Sequence, residues 1–226
     1  MNRQISAAQR PVTMPLQRLA GFGPRAAFVS VGSLLVFIFV QQFGGAIASA
    51  APGLYAPTAI VFVLALWVFI AGLAVLGIDL ERLAPPAPNT RASQVARGAT
   101  LVALVMPVPL LIGGLVYVNR LLPISYLLIF IGVGISLLLH NVAARRAGLL
   151  HGMLPWLGSA TGVAYILAGI GFGTLLAPGL GTTFYLIGFN VVRLGQVLYI
   201  AWALWLGVKL SRSQAAAPAA MAPAAR

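Results

Sequence analysis

The sequence predicts an all-α fold, a polytopic transmembrane helix bundle of about six spans with the N- and C-termini both in the cytoplasm. Three observations predict it. Of the 226 residues, 61% are apolar and only 7% charged, whereas soluble domains carry roughly 25% charged residues. So few charges cannot clothe a water-facing surface, and the remaining surface must face lipid. Six stretches reach the length of about 20 mostly apolar residues that a spanning helix needs. The basic residues, finally, fall very unequally between alternate loops.

Residues 1–26 read as a polar arm that carries Arg3, Arg10, Arg18 and Arg25 and is interrupted by Pro11, Pro15 and Pro24. The spans follow at about 27–50, 57–78, 98–118, 121–142, 153–176 and 182–208, together a transmembrane domain of residues 27–208. Between the second and third spans, 79–97 reads as a linker, because Pro85, Pro86 and Pro88 exclude helix there. Residues 209–226 read as a tail, rich in Ala and Pro and disordered from Ser213 onward. Helix is the only economical reading of the spans. In lipid a segment must satisfy its own backbone hydrogen bonds, and barrel strands would be about 10 residues long with alternating polarity.

Orientation follows from Lys and Arg in the loops. Twelve of the fourteen basic residues lie on the side of the termini; only Arg120 lies on the other, and Arg193 sits inside a span. The expected location is therefore the cytoplasmic membrane of a bacterium, multi-pass, and the arginine-dominated basic set (13 of 14) fits a bacterial source. The Arg-bearing start and Ala48–Ser49–Ala50 also fit a cleaved signal peptide over residues 1–50. The long polar arm and full span length favour a retained first span. Ala51–Pro52–Gly53–Leu54 recurs as Ala177–Pro178–Gly179–Leu180, which shared turn chemistry explains.

Several chemistries are excluded or disfavoured by what is missing. There is no cysteine, hence no disulfide, thiolate metal site or Cys nucleophile. No Asp or Glu lies within a span, and intramembrane carboxylates are the usual proton and cation carriers of pumps. The two acids, Asp79 and Glu81, sit beside Arg82 and read as interfacial charges. A net charge of +12 raises the question of nucleic acid, but the charges are dispersed over short loops, so no nucleic-acid partner is expected. His140 and His151 flank the inner ends of their spans. A haem on either is disfavoured, since no third ligand accompanies them, and both read as solvated interfacial residues. No cofactor or metal is expected.

Two sets of residues stand out. Gly158, Gly162, Gly169 and Gly173 step along one face of the fifth span, and small residues at such spacing let helix backbones approach closely. They read as a packing face within the bundle, or alternatively as a homo-oligomer seam. Arg193 lies about eleven residues into the sixth span, where an Arg costs on the order of 3 kcal/mol at a helix centre. Asn190 and Gln196 lie one turn to either side, and Gln41 and Gln42 of the first span fall at a similar depth. These five residues read as one polar centre. It either lets Arg193 reach water and carbonyls, holds an anionic or carbonyl-bearing ligand or lipid, or meets an acidic partner subunit. Trp156, Trp202 and Trp205 read as membrane-belt anchors, and Trp67 as mid-membrane packing.

Leu154–Pro155–Trp156–Leu157–Gly158 opening the fifth span, and Trp202–Ala203–Leu204–Trp205–Leu206 closing the sixth, resemble small six-span bacterial integral membrane protein families with no assigned activity. That resemblance implies the fold and nothing about chemistry. The functional expectation is a non-catalytic membrane protein that binds a lipid or hydrophobic small molecule, or serves as an accessory subunit. The alternative is a facilitative transporter or channel for a small anionic or polar solute. An enzyme is not expected, because general acid–base chemistry needs titratable groups that the spans lack.

Overall fold

A proline fits the first turn of a helix because its missing N–H has no partner there, and Pro24 takes that place in α1 (Gly23–Ala50). The first span thus begins four residues earlier than expected, and Pro24, read as part of the arm, lies in its first turn. A 3₁₀ turn, Pro52–Leu54, leads into α2 (Tyr55–Leu83). The third span is two pieces, α3 (Arg91–Val105) and α4 (Pro107–Val116). Then come α5 (Leu121–Arg146), α6 (Leu154–Gly173) with a 3₁₀ turn at Thr174–Leu176, and α7 (Gly181–Ala220). This computed structural model describes residues 22–83, 91–116, 121–146, 148–176 and 181–220. Residues 1–21 of the arm, the prolines at 85, 86 and 88, Arg120, the second Ala-Pro-Gly-Leu turn and the last six residues of the tail lie outside the described residues.

Among the described residues there is no strand, and six helical segments are long and apolar enough to cross a membrane. The protein is a polytopic helix bundle. The ends of the spans differ from expectation in an informative way. Residues 79–83 and 91–97, assigned to a linker, are helical. Charged residues continue a helix once it emerges from lipid, and the apolar pattern that marks a span does not register them. Likewise α7 runs on to Ala220 through residues expected to be disordered; the alanine run after Gln214 supplies the strongest helix former.

The break in the third span has a covalent cause. Pro107 and Pro109 carry no N–H, so the carbonyls four residues earlier, at Ala103 and Val105, lose their helical donors. Between them, the carbonyl of Leu104 accepts a hydrogen bond from Trp67 Nε1 at 2.8 Å. Trp67, about half exposed on the bundle surface, packs across α2 and α3 at this point and pins the kink. The turn between α5 and α6 uses Gly148 in the left-handed region, φ +69°. Its N–H reaches Arg145 O, and the N–H of Leu149 reaches Ala144 O, both at 3.0 Å, closing the helix end as a Schellman motif does.

The helices form a ring. α1 packs on α2, α2 on α3 and α4, these on α5, α5 on α6, α6 on α7, and α7 returns to α1. The α5–α6 interface is the most extensive. α2 supplies much of the centre, with Leu66, Phe69, Ile70, Leu73 and Leu76 all fully buried. The outside of the ring is apolar, including Leu35 and Phe39 on α1, Leu101 on α3 and Val197 on α7, as a surface against acyl chains must be. Among the described residues the two rims differ: Arg25, Arg82, Arg97, Arg145, Arg146 and Lys209 mark a basic end, and the uncharged turn at Pro52–Leu54 marks the other, called the neutral end for that turn.

Candidate functional site

Small side chains leave space between helices only where the facing helix does not fill it. Near the neutral end, Gly44, Gly45 and Ala48 of α1 and Thr58 and Ala59 of α2 leave such a gap. Six aromatic side chains stand around it: Tyr55 and Phe62 from α2, Tyr126 from α5, Phe172 from α6, and Tyr185 and Phe189 from α7. They line a cavity of about 410 Å³.

The aromatic wall is nearly continuous. Tyr126 stacks on Phe172 at 5.1 Å, Phe172 meets Tyr185 edge-on at 5.6 Å, and Tyr185 stacks near Phe189 at 6.3 Å. Phe62 packs on Phe37 at 4.5 Å, and Phe130 lies parallel to both Tyr126 and Phe172. Beneath the cavity, towards the basic end, Phe37, Leu66, Phe69 and Phe130 are each at most 2% exposed. They make a dense apolar plug. Polar groups in the wall are few: Gln41, Thr58 and the three tyrosine hydroxyls. Tyr55 donates its hydroxyl to Gly114 O at 2.9 Å, which ties α2 to α4.

The five residues expected to form one polar centre divide into two. Gln41 lines the cavity, and its Oε1 accepts from Nε2 of Gln196 at 3.2 Å, with Gln196 buried. Gln42, the next residue, points outward and accepts from Arg193 Nη2 at 2.9 Å. Successive side chains on a helix diverge by about 100°, since a turn holds about 3.6 residues. Two neighbouring glutamines therefore serve opposite sides of the α1–α7 seam. Arg193 is exposed on the outside of the ring, with its guanidinium 4.4 Å above the Phe189 ring. Asn190 is exposed as well and bonds its own helix, donating to Leu186 O at 3.0 Å.

The four glycines of the fifth span all face α5. A Cβ at Gly162 would meet Leu138 and, at 2.9 Å, the Gly134 carbonyl; one at Gly169 would meet Ile131 and Leu127 O, and one at Gly173 would touch Leu127. A Cβ at Gly158 would collide with Asn141 Oδ1 and lie 2.6 Å from Trp202 Nε1. This face is used inside the molecule.

A second polar layer lies towards the basic end, and nothing in the sequence pattern singled it out. Thr100 and Ser136 share a hydrogen bond of 2.8 Å, and Ser136 Oγ lies 3.3 Å from His140 Nδ1. Asn141 donates to Pro155 O at 2.7 Å and to Ser159 Oγ at 2.9 Å. Ser30 and Tyr199 are linked at 2.7 Å. Among the described residues, Asn141 Oδ1, the Tyr165 hydroxyl and Trp202 Nε1 are buried with no hydrogen-bond partner. Three expectations are corrected here. His140 is buried, its ring filling the space beside Gly77, because α2 and α5 meet where no side chain projects from Gly77; His151 is exposed. Trp202 is fully buried against Tyr199 and is no belt anchor, whereas Trp156 and Trp205 are exposed. Asp79 is buried, its Oδ2 accepting the Gly23 N–H at 2.9 Å, because the extended α2 places it under the start of α1. Glu81 pairs with Arg97 at 2.8 Å.

The cavity aromatics carried no signal in the sequence. Tyr55, Tyr126 and Tyr185 each sit near the end of a span, where an interfacial tyrosine is ordinary, and only the ring of helices brings them together. Among the described residues no group of three His, Cys, Asp or Glu side chains is placed to hold a metal ion. No protein family, curated protein or solved structure matches this chain.

Proposed function

We propose that this protein is a non-catalytic, multi-pass protein of a bacterial cytoplasmic membrane that binds an apolar or aromatic small molecule in the neutral-end cavity, with that end facing outward. The observation that carries the reading is the cavity itself, about 410 Å³ with six aromatic side chains and one glutamine of a hydrogen-bonded amide pair in its wall. Binding pockets for small ligands commonly span about 300–1,000 Å³, apolar with a few placed polar groups, and this one has that character. Gln41, held by Gln196, offers its carboxamide to a carbonyl or hydroxyl of the ligand. The lining supplies no carboxylate and no imidazole, which favours binding over acid–base catalysis. The apolar plug beneath favours binding over passage through the bundle.

The test is to fill the cavity. Protein purified in mild detergent is extracted and its small molecules identified by mass spectrometry, for the wild type and for Ala59→Trp. An indole is smaller than the cavity of about 410 Å³ that Ala59 lines, so the variant should fold and lose the ligand. Ala48→Trp fills the same gap from α1 and should do likewise. The same molecules in the same amounts from all three proteins would overturn the reading. Uptake of a solute into liposomes by the wild type would replace it with the transporter alternative.

A further inference from the structure

Apart from the cavity, the feature that needs a ligand is the exposed face of the α1–α7 seam. Arg193 projects from the outside of the ring among exposed Leu186, Ile187, Leu194 and Val197 on α7 and Phe39 and Phe43 on α1. Those side chains face acyl chains, so the guanidinium does too. The guanidinium is a cation, and its five N–H donors need acceptors. The structure gives it one carboxamide oxygen, Gln42 Oε1, and the face of Phe189.

This chain does not supply the missing negative charge. Its two acidic residues, Asp79 and Glu81, both act at the basic end, on Gly23 and Arg97. Gln42 lies nineteen residues beyond Gly23 on α1, about 28 Å at 1.5 Å per residue. A second copy of the chain in the same orientation carries its acids equally far away. The counter-charge must come from another molecule.

The direction of the side chain says which. Arg193 leans towards the start of α7, over Phe189, one turn nearer the neutral end. Phe189 is eight residues from Gly181, so the guanidinium lies about 12 Å from the end of the helix. A bilayer is about 40–45 Å thick, with about 30 Å of hydrocarbon, which leaves several ångströms of headgroup on each side. The guanidinium then sits a few ångströms below the headgroup layer and points up at it, within the reach that snorkelling and local thinning provide. Exposed Asn190 lies one turn from Arg193 on the same rim. We propose that Arg193, with Gln42 and Asn190 beside it, binds the phosphate of a phospholipid in the leaflet at the neutral end, while the lipid chains lie along Leu194 and Val197 of α7 and Phe39 of α1. This site shares the Phe189 ring with the cavity wall but lies on the lipid-facing side of the seam, and its test reads a phospholipid and not the cavity's ligand.

The experiment titrates phosphatidylglycerol into the full chain in detergent and counts bound lipids by native mass spectrometry. Diacylglycerol with the same chains is the control that lacks the phosphate. Wild type should hold one phosphatidylglycerol that survives activation, and should not hold diacylglycerol. Arg193→Leu removes a costly charge from the membrane and should fold; it should bind that lipid about tenfold more weakly or worse, the loss expected for one charged hydrogen-bonding pair. Arg193→Lys should restore it only in part, because an ammonium lacks the planar fork that holds two oxygens. Arg212→Leu, at the basic end, controls for nonspecific attraction and should leave the tight lipid in place. Equal retention by wild type and Arg193→Leu would overturn the proposal. So would displacement by millimolar inorganic phosphate, which would make the ligand a free anion. A co-purifying protein lost from Arg193→Leu with no change in lipid would also overturn it and assign the charge to an acidic partner helix.

Discussion

Asp79 holds the first N–H of a helix that begins fifty-six residues before it in the chain. A helix start carries several unsatisfied donors and a partial positive charge, so a buried carboxylate is well suited to it. The Gly23 position has to be glycine for this contact, since a Cβ there would collide with the carboxylate. Asp79→Ala should therefore cost about 2 kcal/mol, the size of a hydrogen bond to a charged group, read as a lower melting temperature in detergent. Glu81→Ala is the matched comparison. Its partner Arg97 is largely exposed, and exposed ion pairs are worth about 0–1 kcal/mol, so this variant should melt close to wild type. Equal losses in the two variants would show that the cap contributes nothing special. The sequence places both acids at the same rim and offers no means of telling them apart. Which of two acids two residues apart turns inward depends on where the next helix begins.

At the scale of helices, α5 and α6 approach closely because glycines face glycines and backbone. Gly134 and Gly162 sit opposite one another, each with a would-be Cβ against the other's carbonyl. Gly162→Leu or Gly169→Leu drives a branched side chain into Leu138 or Ile131 and should destabilise by about 1–3 kcal/mol, the usual cost of overpacking. Ile170 lies on the same helix but half exposed on the outside, so Ile170→Leu should melt within about 0.5 kcal/mol of wild type. Indistinguishable melting of all three would mean that the helices slide apart freely at this seam. Glycine spacing alone makes this face legible, because a four-residue step keeps side chains on one stripe of a helix. The kink at Met106, although Pro107 and Pro109 name the carbonyls they orphan, is absent from the unbroken span expected at 98–118. Hydropathy passes over it, being blind to a missing N–H. The cavity is out of reach of the sequence, because no single helix contains more than four or five of its wall residues and their chemistry is that of ordinary lipid-facing or interfacial side chains.

For the molecule as a whole, the six crossings follow from composition because lipid demands length and apolarity and little else. The direction of insertion is a separate question, decided by the charges on the rims. At the basic rim the described ends of α1, α2, α3 and α5 and the passage of α7 all carry Arg or Lys, and the turn at the neutral rim, residues 51–54, carries none. If the positive-inside bias governs this chain, the basic rim stays in the cytoplasm and the aromatic cavity opens to the outside. The chain has no cysteine of its own, so single cysteines can be introduced without background. Gly53 in the neutral turn and Gly148 in the basic turn are both exposed, with nothing beside either that an added side chain would meet. Gly148 has a positive φ, so its substitution costs on the order of 1 kcal/mol in backbone strain, which a bundle of this size should tolerate. With an impermeant thiol reagent added to intact cells, Gly53→Cys should be labelled at once and Gly148→Cys only after lysis. The reverse pattern would place the cavity on the cytoplasmic side, and any ligand it takes would then be drawn from the cell interior. Labelling of both positions in intact cells would mean that the chain inserts in both directions, and the charge difference between the rims would then be too weak to fix which side the cavity faces.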